Sequence, residues 1–231
     1  MRRLVDLQPS RVLDLGCATG LWLEELNDLL PNGCEFIGVD SDAKALEEAA
    51  QRGKRWSRPH SFMPVDLNAP ELTLPEADLV LFVNVSCYVS DLDRLLELVA
   101  RASTHVAVRQ YDGANLRFGP MDPGDRAIIE TSMRDAMDEE GELRHYDLDR
   151  LYAAIERSPF PHRHLSFEPY ARTNPFPNGF EDYLEGTIWW MHKHLSEPAG
   201  GLLRSWWEER KITPACPTYF IEVDLIAMLS R

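Results

Sequence analysis

The residue types able to do chemistry crowd into the first ninety positions. Asp14-Leu15-Gly16-Cys17-Ala18-Thr19-Gly20 puts a small-residue turn between the apolar run Arg11-Val12-Leu13-Asp14-Leu15 and an amphipathic segment. In that segment Trp22, Leu23, Leu26, Leu29 and Leu30 recur at helical spacing, with Glu24, Glu25 and Asp28 on the other face. A glycine turn between a strand and a helix lets backbone N–H groups approach a ligand unobstructed. Gly16 provides the close turn and Gly20 opens the helix. Asp40 then ends a second apolar run, Phe36-Ile37-Gly38-Val39-Asp40. A carboxylate there can accept both hydroxyls of an adenosine ribose. It can also simply cap the helix beginning near Ser41, although Ser41 could do that alone. Together, turn and carboxylate point to an adenosine-containing cofactor.

Two details separate the candidate cofactors. Dinucleotide sites favour Gly-x-Gly-x-x-Gly, whose middle glycine admits a pyrophosphate. Here that position is Ala18, and the helix opens with the bulky pair Leu21-Trp22. Asp14, two residues before the first glycine, suits an ammonium or sulfonium better than a diphosphate. Charge logic favours a zwitterionic cofactor over NAD(P).

Val12 to Gly20 resembles the first motif of the class I, Rossmann-like, S-adenosylmethionine-dependent methyltransferases, an acidic residue followed by Gly-x-Gly-x-Gly, with Ala18 replacing the middle glycine. Phe36 to Asp42 resembles the second motif, whose acidic residue binds ribose. Val65-Asp66-Leu67 is similar to the third, in which an Asp contacts the adenine amino group and the next backbone N–H its ring. Asp78 to Ser86 is similar to the fourth, which lines the methionine half. The resemblance covers roughly residues 10–110 and implies S-adenosylmethionine as cofactor, with S-adenosylhomocysteine as product. On it the cofactor-binding set is Asp14, Gly16, Cys17, Ala18, Gly20, Asp40, Ser41, Asp66, Leu67, Asn84 and Val85. Many such enzymes close over the cofactor with helices before the first strand. Here only about nine residues precede Arg11, so closure comes from elsewhere or the chain is trimmed.

The elements that must position these residues alternate. Strands are predicted at Arg11–Leu15, Phe36–Asp40, Ser61–Val65, Ala77–Asn84 and His105–Tyr111, with helices at Ala43–Arg52 and Asp91–Ala102. Beyond a Gly/Pro-rich loop at Asp112–Pro123, helices are predicted at Gly124–Met137 and Asp147–Arg157, then a strand at Leu165–Arg172. Helix resumes over Phe180–Arg210, broken at Pro198-Ala199-Gly200-Gly201, before a last strand at Thr218–Leu229. The fold class is α/β: a three-layer sandwich around a mostly parallel seven-stranded sheet with its last strand antiparallel. The whole chain, 1–231, reads as a single methyltransferase domain. Its cofactor-binding half is 1–111, and its substrate-binding half, 112–231, carries a helical cap from insertions at about 112–145 and 176–212.

Methyl transfer from a sulfonium needs a nucleophile, methyl and sulfur held in line in a water-poor pocket, and a base only if the nucleophile must lose a proton early. The sequence advertises no catalytic residue. Tyr88, His145 and His192 are the candidates. The acceptor pocket belongs outside strands four and five, which draws in Tyr88, Arg109 and Tyr111. Arg109 could bind a carboxylate or serve as an ion-pair partner, and Tyr88 could wall the pocket or simply pack. The aromatic run Phe176, Phe180, Tyr183, Trp189, Trp190, Trp206 and Trp207 either packs the added helices or caps a flat or cationic acceptor. Trp189 is the substrate-binding candidate among them. His162 and His164 could share a strand face but lack a third ligand, so no metal is expected. Cys87 has nothing adjacent to lower its pKa and is not expected to be a nucleophile.

With 38 acidic against 24 basic residues, net −14, the surface repels phosphate backbones, which disfavours nucleic acid. No apolar stretch reaches the ~20 residues of a membrane span, no hydrophobic region follows Met1-Arg2-Arg3, and the four cysteines are scattered. A cytoplasmic protein is expected, acting on a nitrogen or oxygen of a small-molecule acceptor, with a homodimer allowed and neither membrane nor nucleic-acid partner. The rival readings are a catalytically silent cofactor-binding partner of another protein and an NAD(P)-dependent oxidoreductase.

Overall fold

Apolar runs alternating with amphipathic ones form parallel strands with helices between them, because only that arrangement buries both. The computed structural model describes residues 2–137, 143, 145–212 and 216–231. In chain order the elements are α1 (Arg2–Asp6), β1 (Arg11–Leu15), α2 (Leu21–Asn27), β2 (Glu35–Asp40), α3 (Ala43–Gly53), β3 (His60–Pro64) and β4 (Ala77–Val83). There follow α4 (Leu92–Ala102), β5 (Ser103–Tyr111), β6 (Arg117–Gly119), α5 (Pro123–Ala136), α6 (Leu148–Arg157), β7 (His162–Thr173), α7 (Phe180–His194), α8 (Ala199–Ile212) and β8 (Tyr219–Ser230). A 3-10 turn, Ser86–Tyr88, follows β4.

The strand order is β3-β2-β1-β4-β5-β8-β6, and β7 also pairs with β8. β1 runs parallel to β2 and β4, β2 to β3, and β4 to β5. β8 runs the other way. Its end meets the start of β5, where the Arg231 N–H donates to the Thr104 carbonyl at 3.1 Å, and it is antiparallel to β6. The sheet is thus mostly parallel, with eight strands where seven were expected. The extra one, Arg117–Gly119, falls within the expected loop at 112–123. Three residues are too few to display an alternating pattern.

The chain divides into two compact units. The first comprises Met1–Gln110, Asp149–Ser166 and Leu225–Arg231; the second comprises Tyr111–Leu148 and Phe167–Asp224. Part of the expected insertion at 112–145, namely 138–142 and 144, lies outside the described residues. Among the described residues, no helix is long and apolar enough to cross a membrane.

In the first unit, Val12, Leu13, Leu15, Leu79 and Val80 are wholly buried, as central parallel strands covered on both faces require. Helix α2 buries Leu23 and Leu26 but stops at Asn27, so Leu29, expected to face inward, is 45% exposed. The stop has a visible cause. Arg58, only 3% exposed, donates to Asn27 Oδ1 at 3.0 Å, to the Asn27 and Leu30 carbonyls, and to the Pro31 carbonyl at 3.3 Å. Its guanidinium also lies 4.3 Å from the Phe36 ring centroid. A cation on the carbonyl end of a helix suits both the orphan acceptors and the macrodipole.

In the second unit the aromatic run serves chiefly as packing. Phe180 is buried among Tyr170, Phe176, Tyr183 and Phe220, and Trp206 is buried with its ring 4.9 Å from Phe118. Trp207 is buried as well, whereas Tyr183 and Trp189 keep more than two-fifths of their surface exposed.

Arg58→Met keeps the bulk but leaves these carbonyls without their charged donor. A stability loss of about 3 kcal/mol is expected in urea unfolding, and a loss below about 0.5 kcal/mol, the scale of an ordinary surface change, means that they are served otherwise.

Candidate active site

The turn after β1 is shaped by its backbone. Gly16, Ala18 and Gly20 all have left-handed φ values, +65°, +45° and +76°. Glycine adopts this region freely, while alanine does so at a cost of about 1 kcal/mol. At Gly16 space is also limiting, since an added Cβ would stand 2.3 Å from Val85 Cγ2.

What holds Ala18 in place is its hydrogen bonding. The Ala18 N–H donates to Asp40 Oδ2 at 2.8 Å, and the Cys17 N–H donates to the Val39 carbonyl at 3.0 Å. The Arg52 side chain donates to the Thr19 carbonyl at 2.9 Å. Asp40 also accepts the Asp42 N–H at 2.9 Å through its other oxygen. Of the two roles open to Asp40, helix capping belongs to Asp42, which accepts from Lys44 N and Ala45 N. Each Asp40 oxygen retains accepting capacity toward a ligand.

The turn and the ends of β2, β3 and β4 surround a cavity of about 560 Å³, within the range of small-molecule sites. Gly16, Cys17, Ala18, Asp40, Ser41, Asp66, Leu67, Asn84 and Val85 all line it, as does Tyr88, which is 66% exposed. Gly20 does not; it serves as the left-handed start of α2. The wall also includes Leu21, Trp22, Val65 and Asn68, none of which the sequence marked as ligand contacts. Asn68 joins two rims: its Nδ2 donates to the Tyr88 carbonyl at 2.9 Å, and its Oδ1 accepts from the Ser90 N–H and hydroxyl at 2.8 Å each. Among the described residues, the charged side chains on the wall are Asp40, Asp42 and Asp66, with no Lys, Arg or His. Such a wall repels a pyrophosphate and tolerates a cation.

Asp14 departs from expectation. It is 1% exposed and lies off the cavity wall, with its buried Oδ2 lacking a hydrogen-bond partner. Burial, reinforced by the Asp40 charge, pushes its carboxyl up to about 8. An orphaned, hard-to-ionise carboxyl behind the glycine turn is what a bound ammonium would relieve, so the residues present fit a zwitterionic adenosyl cofactor. Cys17, on the wall, has its thiol pushed up by burial and by Asp14, which makes it a poor nucleophile.

The other expected site residues are placed elsewhere. Arg109, on β5, donates to Asn84 Oδ1 at 3.3 Å and is not on the cavity wall. Tyr111, His145, Trp189 and His192 belong to the second unit. Tyr111 packs 6.1 Å from Tyr146, while Trp189 donates to Glu185 and meets the His192 ring edge-on at 5.6 Å. His192 has a buried Nδ1 without a partner. Among the described residues no group of three or more His, Cys, Asp or Glu could hold a metal.

A larger hollow of about 770 Å³ opens at the other ends of the strands. Its polar groups are already engaged: Arg11 pairs with Glu35 at 2.6 Å, and Asp78 Oδ2 accepts the Ser10 and Arg11 N–H groups. Ligands of open parallel sheets bind at the carboxyl ends, where the smaller cavity lies.

Residues 13–108 match the family model of a methyltransferase domain. Three solved structures share the fold. The YcgJ protein of Bacillus subtilis is 15% identical with a TM-score of 0.57, over 100% of this chain and 97% of that one. The N-terminal domain of EvdMO1, solved with S-adenosylhomocysteine bound, is 15% identical with a TM-score of 0.55, over 100% and 79%. The third is a phosphoethanolamine N-methyltransferase of Haemonchus contortus, solved with phosphomonomethylethanolamine and S-adenosylhomocysteine. It is 17% identical with a TM-score of 0.53, over 95% of this chain but 48% of that one. No curated protein matches the chain in sequence.

The Asp14 carboxyl ordinarily ionises near 3.8 and in the fold only near 8. Between those values folding takes up a proton, so this group's contribution to stability falls as pH rises. Asp14→Asn removes that dependence. Its stability relative to wild type, read from urea melts without ligand, is expected to improve from pH 5 to 8 by up to about 1.4 kcal/mol per pH unit. A pH-independent difference refutes a buried neutral Asp14.

Proposed function

We propose, from the match of residues 13–108 to the family model of a methyltransferase domain, that this chain is an S-adenosylmethionine-dependent enzyme that methylates a nitrogen or oxygen of a small-molecule acceptor. The observation that carries the reading is the glycine turn and Asp40 joined around one cavity by the Ala18 N–H to Asp40 bond. Asp40 is suited to the ribose diol, Asp66 and Leu67 to the adenine, and Gly16, Ala18, Asn84 and Val85 to the methionine half. Asp14 lies behind the turn, where an ammonium in the cavity would favour ionisation of its buried carboxyl.

When bound, the cofactor supplies an electrophilic methyl on sulfur. The acceptor's lone pair forms the new bond to that carbon as the S–CH₃ bond breaks, and the electron pair returns to sulfur. The protein's part is alignment and exclusion of water. Gly16 keeps the turn close against Val85. The carboxylates on the wall admit a cationic ligand and disfavour phosphates, which counts against the NAD(P) reading. An acceptor nitrogen or oxygen carrying a proton gives it up after or during attack. The net charge of −14 and the absence of a basic stripe in the sequence support a small molecule over nucleic acid. The Haemonchus protein is an N-methyltransferase on a related fold, which keeps nitrogen acceptors in view.

Calorimetric titration with S-adenosylhomocysteine tests the site. Removing a carboxylate that accepts two hydroxyls should weaken binding in Asp40→Ala by about a hundredfold. Equal affinity in wild type and Asp40→Ala overturns the placement.

A further inference from the structure

The segment after β4 has an unusual backbone problem. Asn84 takes a left-handed φ of +54°, and the 3-10 turn Ser86–Tyr88 leads through Val89 and Ser90 into α4. Within it the Tyr88 N–H serves the Val85 carbonyl and the Val89 N–H the Ser86 carbonyl, while the Tyr88, Val89 and Ser90 carbonyls accept from side chains elsewhere. It also carries Val85 and Tyr88, both on the cavity wall.

The outside partner is mainly one side chain. Arg150, on α6 and within the first unit, donates to the Ser86 carbonyl at 3.2 Å, to the Val89 carbonyl, and to the Ser90 carbonyl at 2.7 Å. Asn68 takes the remaining Tyr88 carbonyl and binds Ser90. The Ser86 hydroxyl donates to Gln110 Oε1 at 2.8 Å, both residues being buried. Ser86, Tyr88, Val89 and Ser90, in the segment that carries Val85 and Tyr88 to the wall, are therefore held by side chains sixty or so residues away on one hand and about twenty on the other. A guanidinium suits this task, since its fork of donors is planar and rigid.

Resting on the cofactor reading above, we propose that Arg150 is a positioning residue for methyl transfer, holding the Asn84–Ser90 segment so that Val85 backs the glycine turn and Tyr88 walls the cavity. Arg150 touches no reacting atom. It acts through the segment, and Lys, with a single ammonium, could reach only part of the carbonyl set. Arg157 on the same helix bonds the exposed Asp93 at 2.8 Å instead, and exposed ion pairs contribute little, which makes it an internal control.

The test is titration with S-adenosylhomocysteine at a temperature where every variant is folded, together with amide hydrogen exchange. In Arg150→Gln the Kd should rise about tenfold or more. Exchange should quicken at the Ser86–Ser90 amides, while α4 and β4 keep their protection. Arg150→Lys should fall between, Arg157→Gln should stay within about twofold of wild type, and Asn68→Ala should loosen the same amides. If Arg150→Gln is poorly folded, Arg150→Lys and Asn68→Ala carry the test. Wild-type binding with Arg150 variants within about twofold of it, or with exchange raised evenly over the whole unit, overturns the positioning role alone. Wild type that does not bind S-adenosylhomocysteine overturns the cofactor reading and this proposal with it.

Discussion

The bond from the Ala18 N–H to the Asp40 carboxylate is what turns two strand ends into one site. Without it, the glycine turn is merely a connection and Asp40 merely the end of a strand. The alanine is bent into a conformation that its own Cβ disfavours, and a charge-assisted hydrogen bond can offset that cost. The same carboxylate accepts the Asp42 N–H, so the opening of α3 and the turn before α2 are keyed to a single side chain. Arg52, reaching from α3 to the Thr19 carbonyl, closes the circle. Any shift of Asp40 is therefore felt at the turn, at α3 and at the cavity together.

The second tension is electrostatic. Three carboxylates line the cavity, and a fourth, Asp14, is sealed behind it. Burial first, and the Asp40 charge second, push the Asp14 carboxyl up. A site of this kind is unfavourable when empty and gains from any ligand that brings positive charge. Binding and ionisation are then linked, with affinity drawn partly from relief of a strain built into the fold.

Much of this was legible in the sequence because backbone demands leave local marks. Small residues between a strand and a helix, and an acidic residue closing the next strand, are constraints that a short window displays. Gly16, Cys17, Ala18, Asp40, Ser41, Asp66, Leu67, Asn84 and Val85, all on the wall, were legible in such windows, while Leu21, Trp22, Val65 and Asn68 were not. What escaped reading depends on distance along the chain. Arg58 ends α2 from 27 to 31 positions away, and nothing near Leu29 announces it. Asn68 looks like any loop asparagine until the Tyr88 carbonyl comes into place beside it. The depth of Asp14 was not legible, since a strand's alternation does not say which carboxylates open to a cavity. For the aromatic run the sequence left packing and recognition both open, and the burial of Phe180, Trp206 and Trp207 favours packing.

The way the chain threads its two units bears on how it comes to be folded. Residues 149–166 and 225–231 return to the first unit after intervening stretches have built the second. The lining of the cavity is translated early, but the helix carrying Arg150 follows well after it, and the last part of β8 arrives at the very end of synthesis. Contacts of such long sequence separation slow folding, because loop closure must come before its reward. Once Ser103–Tyr111 has been made, the nascent sheet therefore keeps a β5 flank that lacks β8 until the end of synthesis, the kind of exposed edge that chaperones guard.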